Sequence, residues 1–274
     1  RGGAMSRIIT LTTDFGLEDE YAGVMKGVIL ARAPAATIVD LSHAIEGQNI
    51  LQAALLIKSA YRFFPVKTIH VLVVDPGVGS NRRLIMAQVE NHLFLAPDNG
   101  VLGLLLESEH FQAVHEIDCP QYYLEPLSST FHGRDILAPV AAHLAGGLEP
   151  AAVGPAIERR KLKILRLAPA KIDSKQSVIT GEVTGWDHFG NLWTNIKADT
   201  LDSLFRNEKN RVRVTVKGVT ITGILDAFAR KAPGEILAIV GSRGVLEIAV
   251  NRGNAARLLA AAIGEEVKVE LPER

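Results

Sequence analysis

Between Thr68 and Val74 the chain reads Thr-Ile-His-Val-Leu-Val-Val and then breaks on Asp75-Pro76-Gly77. A run almost continuous in branched apolar residues is what a strand covered on both faces requires, and such strands belong to parallel sheets flanked by helices. The neighbouring segments agree. Ile8 to Leu11, Thr37 to Val39, Leu84 to Val89 and Leu93 to Ala96 read as further strands, and Tyr21 to Arg32, Gly47 to Phe64, Leu102 to Leu106 and Arg134 to Leu144 as helices. This alternation from Arg7 to about Gly147 is the pattern of βα units. Thr68 to Val74 belongs at the centre of the sheet.

From about Arg159 to Ser177 the periodicity lapses around Ala168-Pro169-Ala170, which marks a domain boundary. Beyond it come short strands at Val178 to Val183, Val212 to Val216, Thr220 to Leu225, Ile236 to Val240, Val245 to Val250 and Val267 to Leu271, with Gly-containing turns such as Lys217-Gly218 between them. That spacing suggests a small barrel or sandwich. The expected architecture is therefore α/β: an N-terminal α/β domain over residues 5–165 with a mostly parallel central sheet, and a smaller C-terminal β-barrel-like domain over 166–274. Arg1-Gly2-Gly3-Ala4 ahead of Met5 reads as an expression scar, with neither the apolar core nor the length of a signal peptide.

Composition removes several classes of function. Lys and Arg number 30 against 30 Asp and Glu, so the chain lacks the net basic charge that nucleic-acid binding uses to displace counterions. No apolar run reaches the ~18 residues of a membrane span. Cys119 is the single cysteine, which excludes an intrachain disulfide framework and a Cys-rich zinc site and fits a cytoplasmic protein.

Polar residues gather where strands end. Thr13-Asp14-Phe15-Gly16, Asp75-Pro76-Gly77-Val78-Gly79 and Pro97-Asp98-Asn99-Gly100 each follow a strand, and in an open α/β sheet ligands bind at the carboxyl ends of the strands. Any one of these loops alone is ordinary turn chemistry; three at one sheet edge point to a site. The Asp75 loop lacks the Lys-Ser/Thr ending of a P-loop and the third glycine of a dinucleotide fingerprint. His132, in Thr130-Phe131-His132-Gly133-Arg134-Asp135, reads equally as structural or catalytic. Asp14, Asp75, Asp98 and His132 together allow a hydrolytic metal centre, although no His-x-x-x-His or Asp-x-His pair accompanies them. In the second domain Gly185 to Ile196 holds both tryptophans. Aromatic faces beside an amide and a carboxylate suit a flat heterocycle with a cationic tail, and suit equally a hydrophobic corner closed by turn residues.

Eight stretches carry a resemblance: Leu11-Thr12-Thr13-Asp14-Phe15-Gly16, Val39-Asp40-Leu41-Ser42-His43, Arg62-Phe63-Phe64-Pro65, Val74-Asp75-Pro76-Gly77-Val78-Gly79, Ala96-Pro97-Asp98-Asn99-Gly100, Phe131-His132-Gly133-Arg134-Asp135, Asp187-His188-Phe189-Gly190-Asn191 and Ser242-Arg243-Gly244. In this order they resemble the S-adenosyl-L-methionine hydrolase (adenosine-forming) family, the SAM hydroxide adenosyltransferases, which share a fold with fluorinase and chlorinase. The resemblance implies hydrolysis of S-adenosyl-L-methionine to adenosine and L-methionine by water attacking the ribose 5′ carbon, with no metal and no cofactor. It implies a water-activating group of Asp75, Arg82 and His132, with Arg83 as a one-residue ambiguity. It carries Asp14 to the ribose hydroxyls, Asp19 and Asp187 to the methionyl ammonium, Ser242 and Arg243 to the methionyl carboxylate, and Phe189, Asn191, Phe228 and Trp193 to the adenine. It further implies a homotrimer whose sites lie between the N-terminal domain of one subunit and the C-terminal domain of a neighbour. The halogenating relatives have Tyr and Ser where this chain has Asp75 and Gly133, which favours water over halide. A non-catalytic adenosine or S-adenosyl-L-methionine binder and, less favoured, a halide-dependent adenosyl transferase are the alternatives.

Overall fold

The computed structural model describes residues 7–107 and 110–272, so the reading of residues 1–4 as a scar lies outside the described residues. One compact unit ends at Arg166 and a second begins at Leu167.

The first unit follows the order β1 (Ile8–Thr13), α1 (Tyr21–Arg32), β2 (Thr37–Ser42), α2 (Ile50–Ala60), β3 (Ile69–Val73), β4 (Leu84–Val89), β5 (His92–Pro97), α3 (Gly103–Leu106), β6 (Phe111–Glu116) and α4 (Ala138–Ala145). Its sheet has the order β2-β1-β3-β5-β4-β6. β1 pairs in parallel with β2 and β3, and β3 with β5, whereas β4 is antiparallel to both β5 and β6. Every residue of β3 is buried, as the sequence required of a central strand. One face packs Val71, Val73 and Leu11 against Met25, Ile29 and Val140; the other packs Leu72, Val74 and Phe94 against Ile57 and Leu105. Glu90 and Asn91 both hold positive φ in the tight β4–β5 hairpin, the conformation that suits the right-handed twist of paired strands.

Some boundaries moved for local reasons. The helix expected from Gly47 begins at Ile50, because Gln48 takes φ 66 and the Asn49 side chain accepts from the Gln52 N–H at 2.9 Å as an N-cap. The helix expected from Arg134 opens with a π-helical turn, Gly133–Leu137, before α4.

The second unit contains β7 (Lys171–Asp173), β8 (Val178–Trp186), β9 (Leu192–Lys197), α5 (Ala198–Phe205), β10 (Arg213–Val216), β11 (Val219–Thr222), β12 (Ile224–Leu225), β13 (Ile236–Val240), β14 (Val245–Val250), α6 (Ala255–Leu258) and β15 (Glu266–Glu270). They form one 9-stranded sheet in the order β11-β10-β15-β8-β9-β14-β13-β12, with β7 beside β8. The sheet curls until it nearly closes, giving the barrel-like second part that the sequence implied. Leu192, Ile196, Val214, Leu246, Ile248 and Val269 fill its interior, with Leu201 and Phe205 of α5. Among the described residues no helix is long and apolar enough to cross a membrane.

Candidate functional site

Because β1, β3 and β5 run parallel, their carboxyl ends bring Asp14, Asp75 and Asp98 out at one edge of the sheet. The three aspartates then diverge in role. Asp98 is 3% exposed; its Oδ2 accepts from Arg83 Nη2 at 2.7 Å and its Oδ1 from the Lys163 N–H at 2.9 Å. It is a structural anchor, and Arg83, which also donates to the Lys161 carbonyl at 2.6 Å, is committed to it. Of the two arginines, Arg82 is the one bonded to Asp75.

Asp75 leaves β3 at the heart of that edge. Arg82 Nε donates to both of its carboxylate oxygens at 2.8 Å, and Arg82 Nη2 also donates to Oδ2. The two side chains are only 6% and 5% exposed. Arg82 Nη2 lies 3.1 Å from His132 Nδ1. A guanidinium only donates, so Nδ1 is the acceptor and the neutral ring carries its proton on Nε2. Burial first, and then the Arg82 charge, hold the His132 pKa below 6.5, against the opposing pull of Asp75 and Asp135.

Close packing fixes this cluster. Gly79 sits at φ 78, and a Cβ there would fall 2.4 Å from the Ser129 carbonyl oxygen, so a glycine lets the Asp75–Arg82 loop lie against the segment that carries His132. Asp135 secures that segment, accepting from the Ser128 N–H at 2.8 Å and from Arg134 Nε at 2.5 Å. The glycines thus serve loop packing, and no phosphate cradle needs to be invoked.

Asp14 Oδ2 accepts from the Gln48 N–H at 2.8 Å, and Asp19 is exposed in the loop leading into α1. The Asp14 loop is pinned by His43. Thr13 Oγ1 lies 2.8 Å from His43 Nδ1, and the Gly16 N–H donates to the His43 carbonyl at 2.8 Å. His43 Nε2 stands 3.0 Å from Asp40 Oδ1, within ion-pair range but out of line for a hydrogen bond.

In the second unit Asp187 and Asn191 close the β8–β9 turn, with Asp187 Oδ1 accepting from the Asn191 N–H and Oδ2 from Asn191 Nδ2, both at 2.9 Å. Gly190 is at φ 85, and a Cβ there would also fall 2.1 Å from Cγ of Asn254, which caps α6. Trp193 is 7% exposed, and the Arg243 guanidinium carbon lies 3.5 Å from its ring centroid. Ser242 is exposed in the β13–β14 turn; Phe189 and Phe228 stand at the surface, 71% and 41% exposed. The structure therefore joins Asp75 with Arg82 and His132, Asp187 with Asn191, and Trp193 with Arg243, while among the described residues no side-chain hydrogen bond or ring contact ties Asp14 or Asp19 to the first cluster, or Phe189, Phe228 or Ser242 to the other two. Sequence reasoning missed Glu247, 6% exposed on β14 directly opposite Trp193. Its only signal was an acidic residue inside an otherwise apolar strand. Among the described residues no three His, Cys, Asp or Glu gather in a way that would hold a metal ion.

Two family models match the chain: the SAM hydroxide adenosyltransferase N-terminal domain over residues 9–154 and the C-terminal domain of the same family over 181–268. A protein of Salinispora arenicola named (R)-S-adenosyl-L-methionine hydrolase is 36% identical, covering 95% of this chain and 97% of its own. A fluorinase of Nocardia brasiliensis is more distant, 26% identical over 96% of this chain and 97% of its own. The crystal structure of an uncharacterized conserved protein from Thermotoga maritima superposes with a TM-score of 0.89 at 37% identity, covering 95% of this chain and 99% of that one.

Proposed function

Since the chain belongs to the SAM hydroxide adenosyltransferase family, we propose that it hydrolyses S-adenosyl-L-methionine to adenosine and L-methionine. The observation that carries the reading is the buried, mutually bonded group of Asp75, Arg82 and His132. A water oxygen attacks the ribose 5′ carbon, the C5′–S bond breaks, and the sulfur leaves with the bonding pair as the neutral thioether of methionine. A sulfonium needs no acid to depart, so the difficulty lies in generating the nucleophile. His132 is the one neutral base of the three and takes the water proton; its Nδ1 lone pair is bound by Arg82 at rest, so that hydrogen bond is released as water enters. The Nη2 hydrogen released by His132 faces the charge developing on oxygen, while Asp75, still bonded to Nε and to Nη2, keeps the guanidinium in place. Anion and cation cancel along this path, and a site as dry as 5–6% exposure withholds the water that would stabilise them apart.

Asp14 holds the ribose, Asp19 and Asp187 the methionyl ammonium, Ser242 and Arg243 the carboxylate, and Phe189, Asn191, Trp193 and Phe228 the adenine. The working form is a cytoplasmic homotrimer in which one subunit's Asp75 cluster faces a neighbour's Arg243 cluster. Exposed rings support such an assembly: Tyr21 beside Phe15 and Phe131 in the first unit, and Trp186, Phe189 and Phe228 in the second. Halide is disfavoured as nucleophile, because a Cβ at Gly133 would meet Val73 Cγ1 at 3.0 Å and leaves a serine there no room without repacking.

The test is hydrolysis in ¹⁸O-water by chelator-treated protein. Adenosine labelled on its 5′ oxygen, with stoichiometric methionine, is expected; intact substrate or tightly bound adenosine without turnover would replace the hydrolase with a binding protein.

A further inference from the structure

Glu247 occupies an unusual position for a carboxylate. β14 sends Leu246, Ile248 and Val250 into the barrel core and turns Glu247 to the opposite face, where its cross-strand neighbours are Trp193 on β9 and Ile239 on β13. It is 6% exposed; among the described residues no side-chain hydrogen bond or ion pair engages its oxygens, and solvent still reaches them, since the sealed and unpartnered side-chain atoms are Thr12 Oγ1 and His43 Nε2. Its seat is specific. A Cβ on Gly241 would lie 1.9 Å from Glu247 Oε1 and 2.1 Å from Cδ, so a glycine at the head of the β13–β14 turn is what leaves the carboxyl its place.

Arg243, from the same turn, lies flat on Trp193 and, among the described residues, is paired with neither Glu247 nor Asp187, although both carboxylates act on it. Burial, with Asp187 adding to it, raises the Glu247 pKa against the pull of Arg243. Two carboxylates and one guanidinium thus share a desolvated patch, with Asp187 already engaged by Asn191. Burying a carboxylate without a donor is expensive, and a ligand that brings a cationic donor removes the cost.

Resting on the hydrolase reading, we propose that Glu247 is a specificity-determining residue that accepts a hydrogen bond from the substrate's α-ammonium, so that substrates carrying an α-amino acid are selected over 5′-sulfonium adenosines without the amino group. Glu247 adds its lone pairs to those that Asp187, accepting one bond from Asn191 on each oxygen, still offers the ammonium, and Arg243, alongside, takes the carboxylate of the same zwitterion.

The experiment compares S-adenosyl-L-methionine with the analogue whose sulfonium bears a 3-carboxypropyl arm, lacking only the amino group. Binding by calorimetry and turnover are both measured on the wild-type protein, Glu247→Gln and Glu247→Asp. Glu247→Gln is expected to weaken S-adenosyl-L-methionine binding by about 10- to 100-fold while leaving the analogue and adenosine nearly unchanged, a charge-assisted hydrogen bond being the interaction lost. Glu247→Asp keeps the charge and should recover part of the preference. A glutamine variant that retains full discrimination, or that weakens both ligands and adenosine alike, overturns the proposal and leaves Glu247 a structural residue. The two readings fail separately: wild-type protein that discriminates in binding but releases no adenosine overturns the hydrolase and keeps the ammonium site.

Discussion

Two histidines of the first unit show how position decides what a side chain can do. His70 is fully buried, with Nδ1 2.8 Å from Thr10 Oγ1 and Nε2 3.2 Å from His92 Nδ1, and burial, with the His92 charge adding, pulls its pKa down to about 3. It can only stabilise. Because the folded value lies below the unfolded 6.5, its contribution is complete above about pH 6.5 and is lost as the pH falls from there toward 3, at up to ~1.4 kcal/mol per pH unit. Urea unfolding across that range should show the loss, and His70→Gln should flatten it; an identical slope in the variant would refute the assignment. His132 is only half-buried, and its pKa is lowered chiefly by burial and then by Arg82, so it is neutral and able to accept a proton at neutral pH. The acid limb of kcat against pH should therefore fall below 6.5. His132→Ala should lower kcat by roughly 10²- to 10⁴-fold with adenosine affinity retained. Arg82→Lys should lose most of kcat too, since an ammonium cannot bridge both Asp75 oxygens and Nδ1. Unchanged turnover in either variant removes that residue from the mechanism.

At the scale of elements, the carboxyl-edge loops are held by contacts that the sequence displays only as glycines. Gly79 and Gly16 separate two effects. Both have positive φ, 78 and 71, but a Cβ at Gly79 strikes the Ser129 carbonyl while one at Gly16 meets nothing within 4 Å. Gly16→Ala should cost about 1 kcal/mol, the strain alone. Gly79→Ala should cost more, about 2–3 kcal/mol, and should reduce kcat beyond what stability explains, because the loop must withdraw from the segment holding His132. Thermal unfolding beside kcat distinguishes them, and equal effects from both substitutions would show that the Ser129 contact does not matter. The same scale explains what could be read in advance. β3 was legible because both of its faces are apolar, and Asp75 followed as the residue at its end. β6 was not, since Phe-Gln-Ala-Val-His-Glu at the sheet edge buries only Val114 well. β9 was hidden because Leu192, Thr194 and Ile196 point inward while Trp193 and Asn195 lie on the other face, a strand whose polar and aromatic residues drew attention as a site. Asp75, Arg82 and His132 were legible through their flanking motifs. Glu247 was not, because its meaning depends on a glycine six positions earlier and a tryptophan on another strand.

For the whole molecule, the balance of 30 basic against 30 acidic residues means that copies of the chain approach one another without net repulsion. Each unit also exposes rings next to its polar cluster: Tyr21 at 42% in the first, Trp186 at 40% and Phe189 at 71% in the second. Apolar surface of this kind beside functional groups marks a face that another surface covers. If that surface belongs to a neighbouring subunit, each active site takes His132 from one chain and Arg243 from the next, and mutations in the two halves must complement. His132→Ala and Arg243→Ala proteins, each nearly inactive alone, are unfolded together and refolded as a mixture. Random assembly gives each site an intact first half in half of cases and an intact second half in half, so about a quarter of wild-type activity should return. A site built within a single chain would return none, because every chain in the mixture carries one lesion. The size of the active species, measured by light scattering on the same sample, should be that of three chains, and recovered activity in a species of one chain would contradict the shared site directly.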